Sequence, residues 1–332
     1  MDYSLFESCK WFEILRPELR DIRQEGNKKT LYRAFCQQEQ NLPVFMQDWY
    51  LDAVCQEGHW DVALVNEGEE IIATLQPLYQ QGLRDITIPP FDNVMGPYIC
   101  PAYRGLKYSH QILEALISQL PKVDGIIQDF HYDVQNWLPF HWEGYRQSSR
   151  YTYILDLRDL DAVYENINRN MRRNIKKAQS QLTVRHDLSV EQFYEINRMS
   201  FERQGIAIPY SLQQLQAHDA ALAERGARQL FFAVDTEGRI HSAAYLIWDG
   251  FSSYYHLSGD DPALRQSGAG ILLIWEAIQF TKKELGFNTF DFEGSMLKPV
   301  EKIRRQFGAR QQGYQRIWKY DSKLFQLLKY CC

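Results

Sequence analysis

The sequence predicts an α/β protein in which two related domains, each a mixed sheet with flanking helices, share a cleft. The first observation behind this prediction is an ordered internal repeat of hairpin, helix and strand patterns. The second is a glycine-bearing loop in the second half, placed between a strand-like run and a helix-like run. The third is size, because 332 residues of which 45% are hydrophobic can fill one large or two ordinary cores.

The repeat begins with two hairpins. Each contains a polar turn with a glycine, at residues 63–68 and 233–238, between two β-rich runs. A helical pattern and a strand follow in both copies, and the pair Asp129-Phe130 recurs as Asp291-Phe292. Because the order is the same twice, the sequence favours a duplicated α/β unit. Other shared residues are Ala63, Glu67, Gly68, Ala73 and Glu114-Ala115, which recur as Ala233, Glu237, Gly238, Ala243 and Glu276-Ala277.

The glycine loop, residues 265–271, follows a strand-like run and leads into a helix-like run that extends to residue 284. Such a loop exposes unpaired backbone N–H groups, and the helix dipole favours phosphate oxygens at the same place. Its glycines allow a ligand to approach the backbone, and its arginine can hold a phosphate through two hydrogen bonds. The alternative interpretation is a glycine-rich helix start that binds nothing. The predicted phosphate-binding residues are Arg265, Gln266, Ser267, Gly268, Ala269, Gly270 and Ile271.

The repeat also sets the domain boundaries. We predict a first domain over residues 43–155 and a second over residues 156–332, and we assign no role to residues 1–42. The counterpart of the glycine loop in the first copy is residues 103–108, which have lost the second glycine and carry bulky side chains. We therefore expect the first domain to lack phosphate binding and to serve as scaffold and as one wall of the substrate cleft.

A basic helical segment over residues 156–182 links the two halves. Its apolar residues recur at helical spacing and predict a buried stripe, and its cations fall together on another face. Five like charges repel one another unless solvent or a bound anion compensates them, so the segment is either a solvated face or an anion-binding surface. The stripe consists of Ile167, Met171, Ile175, Ala178 and Leu182, and the cations are Arg169, Arg172, Arg173, Lys176 and Lys177.

These features resemble the GNAT N-acetyltransferases, whose R/Q-x-x-G-x-G/A loop matches Arg265 to Gly270. From about Pro43 onward the chain is similar to the FemABX-related, tandem-GNAT acyltransferases. That resemblance rests on YTYILDL at 151–157, RRNIKKA at 172–178, FDFEGS at 290–295 and IRRQFG at 303–308. It implies two GNAT-like domains, binding of the acyl-CoA pyrophosphate by the loop, and transfer of an acyl or aminoacyl group to an amine.

The candidate catalytic carboxyls are Asp291 and Glu293, which alternate with phenylalanines along a predicted strand and would share one face. Two carboxyls held together resist double ionisation, which suits one of them to accept a proton from an amine, often through water. Arg304 occupies the lysine position of the family's F-K-x-x-F-G pattern. It can stabilise an oxyanion but cannot act as a base at neutral pH. The alternative for the carboxyls is a polar strand end.

Tyr255 is a further candidate, as a proton shuttle on the strand before the glycine loop, with Tyr254 and His256 on the opposite face. The resemblance places the thioester carbonyl near residues 258–260, at the end of this strand, where a free backbone N–H could polarise it. The alternative for all three aromatic residues is packing, which is the common role of aromatic side chains in strands.

Composition excludes several classes of protein. A net charge of −5 argues against a dominant polyanionic partner, although a local basic patch is compatible with it. No apolar run approaches the roughly 18 residues of a membrane span, and the N-terminus lacks the pattern of a secretory signal. The six cysteines have no C-x-x-C spacing. We therefore expect a cytoplasmic protein with reduced cysteines and no metal.

Three functions follow from these observations and from the resemblance. The leading one is transfer of an acyl group, acetyl in the first instance, from acyl-CoA to the amine of a small molecule or cell-envelope precursor. The second uses aminoacyl-tRNA as donor, as peptide-bridge-forming relatives do, but the chain lacks a heptad run for their coiled-coil insertion. The third is a catalytically idle GNAT-like protein that binds a ligand or partner. If the basic segment is an anion-binding surface, it would hold the phosphates of CoA, a phosphorylated acceptor or tRNA, whichever function applies.

Overall fold

The computed structural model describes residues 19–21, 28–56, 58–76, 78–80, 85–92, 94–294 and 296–321. In chain order the first half contains β1 (Leu19–Asp21), α1 (Lys28–Gln38), α2 (Asp48–Val54), β2 (Gly58–Trp60), β3 (Ala63–Glu67), β4 (Glu70–Leu75), β5 (Leu78–Gln80), β6 (Asp85–Ile86), β7 (Tyr98–Ile99), α3 (Leu106–Ile117), β8 (Gly125–Asp129), α4 (Leu138–Trp142) and β9 (Arg146–Asp156). Apart from the 11-residue strand β9, the first half is thus a set of short strands with helices packed on them.

The second half has longer strands. Its elements are α5 (Leu160–Asn166), α6 (Arg169–Gln179), β10 (Thr183–Arg185), α7 (Val190–Glu202), α8 (Leu212–Glu224), β11 (Arg228–Val234), β12 (Ile240–Trp248), β13 (Ser252–Asp260), α9 (Ala269–Lys283), β14 (Thr289–Asp291), α10 (Lys298–Gln306) and β15 (Arg310–Tyr320). Single 3₁₀ turns precede α2, α3 and α9. The predicted α/β class, a mixed sheet with flanking helices, is confirmed.

Both predicted hairpins form, as the antiparallel pairs β3–β4 and β11–β12. In each half a helix and a strand follow: α3 and β8 in the first, α9 and β14 in the second. The linking segment is two helices rather than one. Asp159 caps the start of α5 and Asn168 caps the start of α6, each through a side-chain oxygen that accepts a backbone N–H. The predicted apolar stripe of this segment is buried.

The two halves exchange their last strands. β9, from the first half, pairs with β14 and β15 of the second half, and β15 in turn pairs with β8 of the first half. Among the described residues this produces one eleven-stranded sheet, in the order β10-β11-β12-β13-β14-β9-β15-β8-β6-β5-β2. The predicted domain boundary after residue 155 therefore falls at the end of β9, a strand that pairs on both sides with strands from the second half of the chain.

A shared core joins the halves. Tyr32 of α1 and Tyr50 of α2 belong to the same buried cluster as Phe193 of α7 and Tyr245 of β12. Residues 28–42, to which the sequence assigned no role, thus contribute a helix to this core, with Tyr32, Phe35 and Cys36 buried. The two halves, between which the cleft is predicted, are thus joined by one continuous apolar core.

Gly259 should be irreplaceable, because β13 meets α7 there without room for a side chain. A Cβ at this position would lie 2.5 Å from the Cα of Asn197 and 2.5 Å from the carbonyl oxygen of Ile196. Both are backbone atoms, so relief requires α7 to move. We expect Gly259→Ala to destabilise the fold by about 1–3 kcal/mol or more and to lower Tm. The control is Gly313→Ala, whose Cβ would have its nearest neighbour at 3.7 Å; equal melting temperatures for the two variants would contradict this packing.

Candidate active site

The sheet opens between β13 and β14. These parallel strands pair over only three residues of each, Ser252–Tyr254 with Thr289–Asp291. β14 then ends, whereas β13 continues to Asp260 with β12 as its only partner among the described strands. From Tyr255 onward one edge of β13 therefore faces the opening with no strand beside it, and a ligand that inserts there can hydrogen-bond to backbone.

The glycine loop lies directly after β13 and starts α9. Gly268 adopts a left-handed conformation, φ +80°, and no side chain caps the helix. The amides of Ser267 and Gly268 donate within the turn, to the carbonyls of Leu264 and Arg265. Those of Gly270 and Ile271 have no hydrogen-bond acceptor among the described residues. Fewer amides are thus available than the sequence suggested, but two remain directed outward from the helix start.

Close packing also favours glycine at both positions, Gly268 and Gly270, of the loop. A Cβ on Gly270 would lie 2.9 Å from Oδ1 of Asp260, and one on Gly268 would lie 3.4 Å from the carbonyl oxygen of Asn174. The loop is thus held between the end of β13 and helix α6. Close packing fixes its backbone before any ligand arrives, which reduces the conformational entropy lost on binding.

Two cations lie at the loop. Arg265 is about half exposed, with its Nε 3.7 Å from Oδ2 of Asp260. Lys177 of α6 donates from Nζ to the carbonyl oxygen of Gln266 at 3.4 Å. Arg172 lies with its guanidinium carbon 5.9 Å from the ring of Tyr164. The remaining predicted cations of α6, Arg169, Arg173 and Lys176, are exposed.

A small cavity, partly open to solvent, lies where the two halves meet. Both halves contribute to its wall, so the predicted shared cleft corresponds to a real feature of the molecule. The wall contains four aromatic residues besides a histidine, two carboxyls and no lysine or arginine among the described residues. Its members are Phe45, Val94, His131, Tyr132, Thr152, Tyr254, Asp291, Glu293, Gly294 and Tyr314.

Asp291 is the last residue of β14 and is buried in this wall. Its Oδ1 accepts hydrogen bonds from the hydroxyl of Thr152 and from the backbone N–H of Glu293, the latter at 2.8 Å. Burial nevertheless raises the pKa of Asp291 to about 7, against the effect of these two donors, because the charged form is removed from water. A carboxyl that titrates near neutral pH is suited to accept and release a proton.

Asp129, the counterpart of Asp291 in the repeat, has a different environment. Arg316 of β15 donates to both of its oxygens, at 2.5 and 2.6 Å, and Arg150 lies 4.0 Å away. Asp129 is thus part of a buried ion pair that ties the exchanged strand to the first half. The two aspartates look alike in the sequence, but only Asp291 lacks an arginine partner within salt-bridge distance among the described residues.

Glu293 lies two residues beyond the end of β14, in a left-handed conformation with φ +55°. Its Oε1 is 2.8 Å from Nδ1 of His256, a residue of β13 on the other side of the opening. Both side chains are buried. The strand alternation expected over residues 290–293 therefore stops at Asp291, and it is the left-handed turn that brings Glu293 to the cavity wall.

Comparison with known proteins identifies part of this chain. Residues 165–298 match the family model described as acetyltransferase (GNAT) domain. The second half contains a GNAT domain. No curated protein matches the sequence significantly.

Solved structures show the same fold over most of the chain. FemX is similar with a TM-score of 0.65 and 14% identity, over 86% of this chain and 95% of its own. A tandem GNAT protein from the clavulanic acid biosynthesis pathway is similar with a TM-score of 0.57 and 10% identity, over 91% of this chain and 98% of its own. The C-terminal domain of a putative lysylphosphatidylglycerol synthetase from Agrobacterium fabrum is similar with a TM-score of 0.56 and 10% identity, over 91% of this chain and 95% of its own. The predicted tandem GNAT-like architecture is thus confirmed.

Arg304 and Tyr255 form a separate cluster in the second half of the chain. The guanidinium carbon of Arg304 lies 4.9 Å from the ring of Phe292 and 5.4 Å from that of Tyr255. All three are buried, and burial lowers the pKa of Arg304 and raises that of Tyr255. Among the described residues, Nε of Arg304 has no hydrogen-bond partner. Neither Arg304 nor Tyr255 lines the cavity. Their predicted roles stay predictions, and the cluster would act from the opposite face of the sheet.

Several residues of the cavity wall were absent from the sequence prediction, among them Thr152, His131, Tyr132 and Tyr314. Thr152 carried the one usable signal, as a polar residue within an apolar strand that the family resemblance already covered. The other three come from the first half or from the exchanged strand β15, so no local pattern relates them to Asp291. The described residues contain no cluster of histidine, cysteine and carboxylate side chains that could hold a metal, and no described helix is long and apolar enough to cross a membrane.

Proposed function

We propose that this chain is an N-acyltransferase that moves an acyl group, acetyl in the first instance, from acyl-CoA to the amine of a small molecule or a cell-envelope precursor. One observation carries the proposal: the opening between β13 and β14 joins a helix start suited to phosphate with a buried carboxyl suited to take a proton. β13 runs from the opening into the glycine loop, and β14 ends at the opening with Asp291. Donor and acceptor sites would thus meet along one strand edge.

The donor side fits the diphosphate of acyl-CoA. The amides of Gly270 and Ile271 and the positive end of the α9 dipole would face its phosphate oxygens. Arg265 and Lys177 would add two charged hydrogen bonds at the same place. The open edge of β13 would hydrogen-bond the thioester carbonyl, and a backbone N–H there would stabilise the oxyanion that forms during attack.

The acceptor side fits an amine. The cavity wall offers two carboxyls and aromatic rings, both of which attract an ammonium group, and it has no cation among its described members. Asp291 in its ionised form would accept a proton from the ammonium, and the neutral amine would attack the thioester carbon. Collapse of the tetrahedral intermediate then breaks the C–S bond, and the thiolate of CoA takes up a proton.

A binding screen followed by a transfer assay tests this proposal. We expect CoA and acetyl-CoA to raise the melting temperature of the protein and bulk tRNA to leave it unchanged, because ligands that bind the native state stabilise it. A panel of primary amines, assayed for release of the free thiol of CoA from acetyl-CoA, should then reveal an acceptor. Stabilisation by tRNA alone would favour the second candidate, and stabilisation by none of the three would contradict the proposal.

The second candidate, an aminoacyl-tRNA-dependent transferase, is favoured by the charges of α6. None of its five cations forms a salt bridge among the described residues, and the first turn of the helix has no acidic residue. Three arginines in the N-terminal half also oppose the helix dipole. A surface of this kind suits a polyanion, and the sequence resembles the FemABX-related group, whose peptide-bridge-forming members use aminoacyl-tRNA.

Charge removal on α6 separates the two candidates. Arg169, Arg173 and Lys176 are exposed, and no hydrogen bond joins them to the glycine loop. We expect replacement of all three with glutamine to leave acetyl-CoA affinity within about twofold, whereas Lys177→Gln alone should weaken it by about two- to tenfold. Calorimetry with acetyl-CoA measures both. If the triple variant loses a tRNA affinity that the wild type possesses, the second candidate is correct.

A further inference from the structure

His256 occupies an irregular place in β13. Tyr245 and Leu246, consecutive in β12, pair with Leu257 and Tyr255 of β13, so His256 is an extra residue in the ladder. Such a β-bulge redirects the side chain of the extra residue. Here it lies at the point where β13 and β14 part, and its Nδ1 reaches Oε1 of Glu293 at 2.8 Å.

Among the described residues, Glu293 is the one hydrogen-bond partner of His256. Its ring lies 6.0 Å from that of Phe45, 6.5 Å from that of Phe91 and 5.2 Å from that of His218, measured between centroids. Nε2 is buried and has no hydrogen-bond partner in the part of the chain that the structure describes. An imidazole in a largely apolar environment is unfavourable unless it is hydrogen-bonded, so the bond to Glu293 is the interaction that accounts for a histidine at this place.

The bond between His256 and Glu293 matters because Glu293 has a left-handed backbone conformation. A residue other than glycine at φ +55° is strained and persists only where its surroundings hold it. Gly294 follows, against the hydroxyl of Tyr314, so the chain turns sharply after β14. The same conformation places the N–H of Glu293 on Oδ1 of Asp291, at 2.8 Å. The side chain of Glu293 thus bonds to Nδ1 of His256, and its backbone amide donates to the carboxyl of Asp291 at the cavity.

We propose that His256 is a positioning residue: it holds Glu293 in the left-handed conformation from which the Glu293 amide donates to Asp291, and so it sets the proton affinity of the reactive carboxyl. His256 touches neither Asp291 nor the cavity. Its catalytic importance rests on the proposed function, but its control of Asp291 does not.

The direction of the effect follows from the donors around Asp291. The amide of Glu293 stabilises the charged form and lowers the pKa of Asp291, so loss of this bond raises it further. The carboxylate of Glu293 acts in the opposite sense, with a smaller effect. The charged and titratable groups near enough to act on Asp291 are Glu293, Tyr132, Tyr254 and Tyr314, together with Arg304 from the opposite face of the sheet. Those near His256 are Glu293, His218 and Tyr245.

Titration of Asp291 in the full chain tests the proposal without any substrate. The protein is labelled with ¹³C at the aspartate side-chain carboxyls, and the Asp291 signal is assigned by its loss in Asp291→Asn. We expect His256→Leu to move the Asp291 midpoint to higher pH by about one pH unit, through loss of the amide bond. His256→Asn, whose side-chain amide can replace the Nδ1 donor, should restore a midpoint near that of the wild type.

Glycine at position 293 supplies the decisive control. Glycine adopts φ +55° without strain, so Glu293→Gly should keep the amide bond to Asp291 without help from His256. In this background His256→Leu should leave the Asp291 midpoint unchanged. Glu293→Gly also removes the negative charge, so its own midpoint should fall below that of the wild type.

An Asp291 midpoint that does not move in folded His256→Leu overturns the proposal, as does an equal shift in the Glu293→Gly background. If His256→Leu does not fold, the comparison of Glu293→Gly with Glu293→Ala still decides. Alanine at this φ is strained and should lose the amide bond, which places its midpoint above that of the glycine variant; equal midpoints overturn the proposal. Acetyl-CoA calorimetry is independent of these titrations, so failure of the proposed function and failure of this inference are distinguishable.

Discussion

Asp291→Asn is expected to lower kcat for acyl transfer by about 10²–10⁴ near neutral pH, the usual contribution of a general base. The amide keeps the shape of the side chain and its hydrogen bond from Thr152, but it cannot take a proton from the attacking ammonium. Acetyl-CoA affinity should stay nearly unchanged, because the glycine loop is formed by other elements. Glu293→Gln should lower kcat as well, with its amide bond to Asp291 retained.

The pH profile gives this prediction its sharpest form. The wild-type rate should rise with pH through about 7, where Asp291 ionises, and this limb should be absent in Asp291→Asn. The defect should shrink at alkaline pH, because more of the amine is already neutral. Asp129→Asn is the matched control: it removes a carboxyl that Arg316 holds, so it should reduce stability and leave the pH profile unchanged. Full activity of Asp291→Asn at pH 7 would show that the carboxyl is structural.

The same carboxyl should influence stability, in a direction fixed by linkage. Burial raises the pKa of Asp291 in the folded state, so between about pH 4 and 7 the unfolded chain binds fewer protons than the native one. Stability therefore falls as pH rises through this window and stays lower above it. Since one pKa unit corresponds to about 1.4 kcal/mol, Asp291→Asn should be the more stable protein at pH 8 and should lose this advantage near pH 4. Chemical denaturation at the two pH values measures the difference.

Arg265→Ala is expected to weaken acyl-CoA binding by about ten- to a hundredfold, because loss of a charged hydrogen-bonding partner costs about 1.5–3 kcal/mol. Arg265 is suited to this role because its contact with Asp260, at 3.7 Å, is long and half exposed and leaves the guanidinium available to a phosphate. The effect should appear in affinity, with little change in kcat at saturation. Arg198→Ala removes a partly exposed arginine that is paired with Glu195 and Glu202 on α7, and it serves as control. Equal affinities for the two variants would remove Arg265 from the donor site.

Local periodicity was sufficient to predict much of the fold. The hairpins β3–β4 and β11–β12, the helices α3 and α9 and the strands that follow them are each specified by alternation or by helical spacing within a few residues. The exchange of β9 and β15 was not predictable in this way. Either strand could complete the sheet of its own half, and the choice depends on contacts more than 100 residues apart, such as that between Arg316 and Asp129.

The site shows the same division between local and distant causes. The glycine loop and the pair Asp291 and Glu293 could be named from the sequence, because residue type and spacing carry the signal. The difference between Asp291 and Asp129 could not be predicted from the sequence. It lies in the burial of Asp291 and in the arginine partners of Asp129. The sequence leaves His256 two open roles, proton shuttle or packing, like its aromatic neighbours in the strand. Its contact with Glu293 depends on the bulge in β13 and on the turn at Glu293, which no local pattern indicates.

Acetyl-CoA binding at the glycine loop is best measured by calorimetric titration of the wild-type protein, in the presence and absence of bulk tRNA. We expect one binding site per chain for acetyl-CoA, unaffected by tRNA and weakened in Arg265→Ala. Absence of binding up to millimolar acetyl-CoA, or binding that is equally strong in Arg265→Ala, would contradict the claim that the glycine loop is an acyl-CoA site.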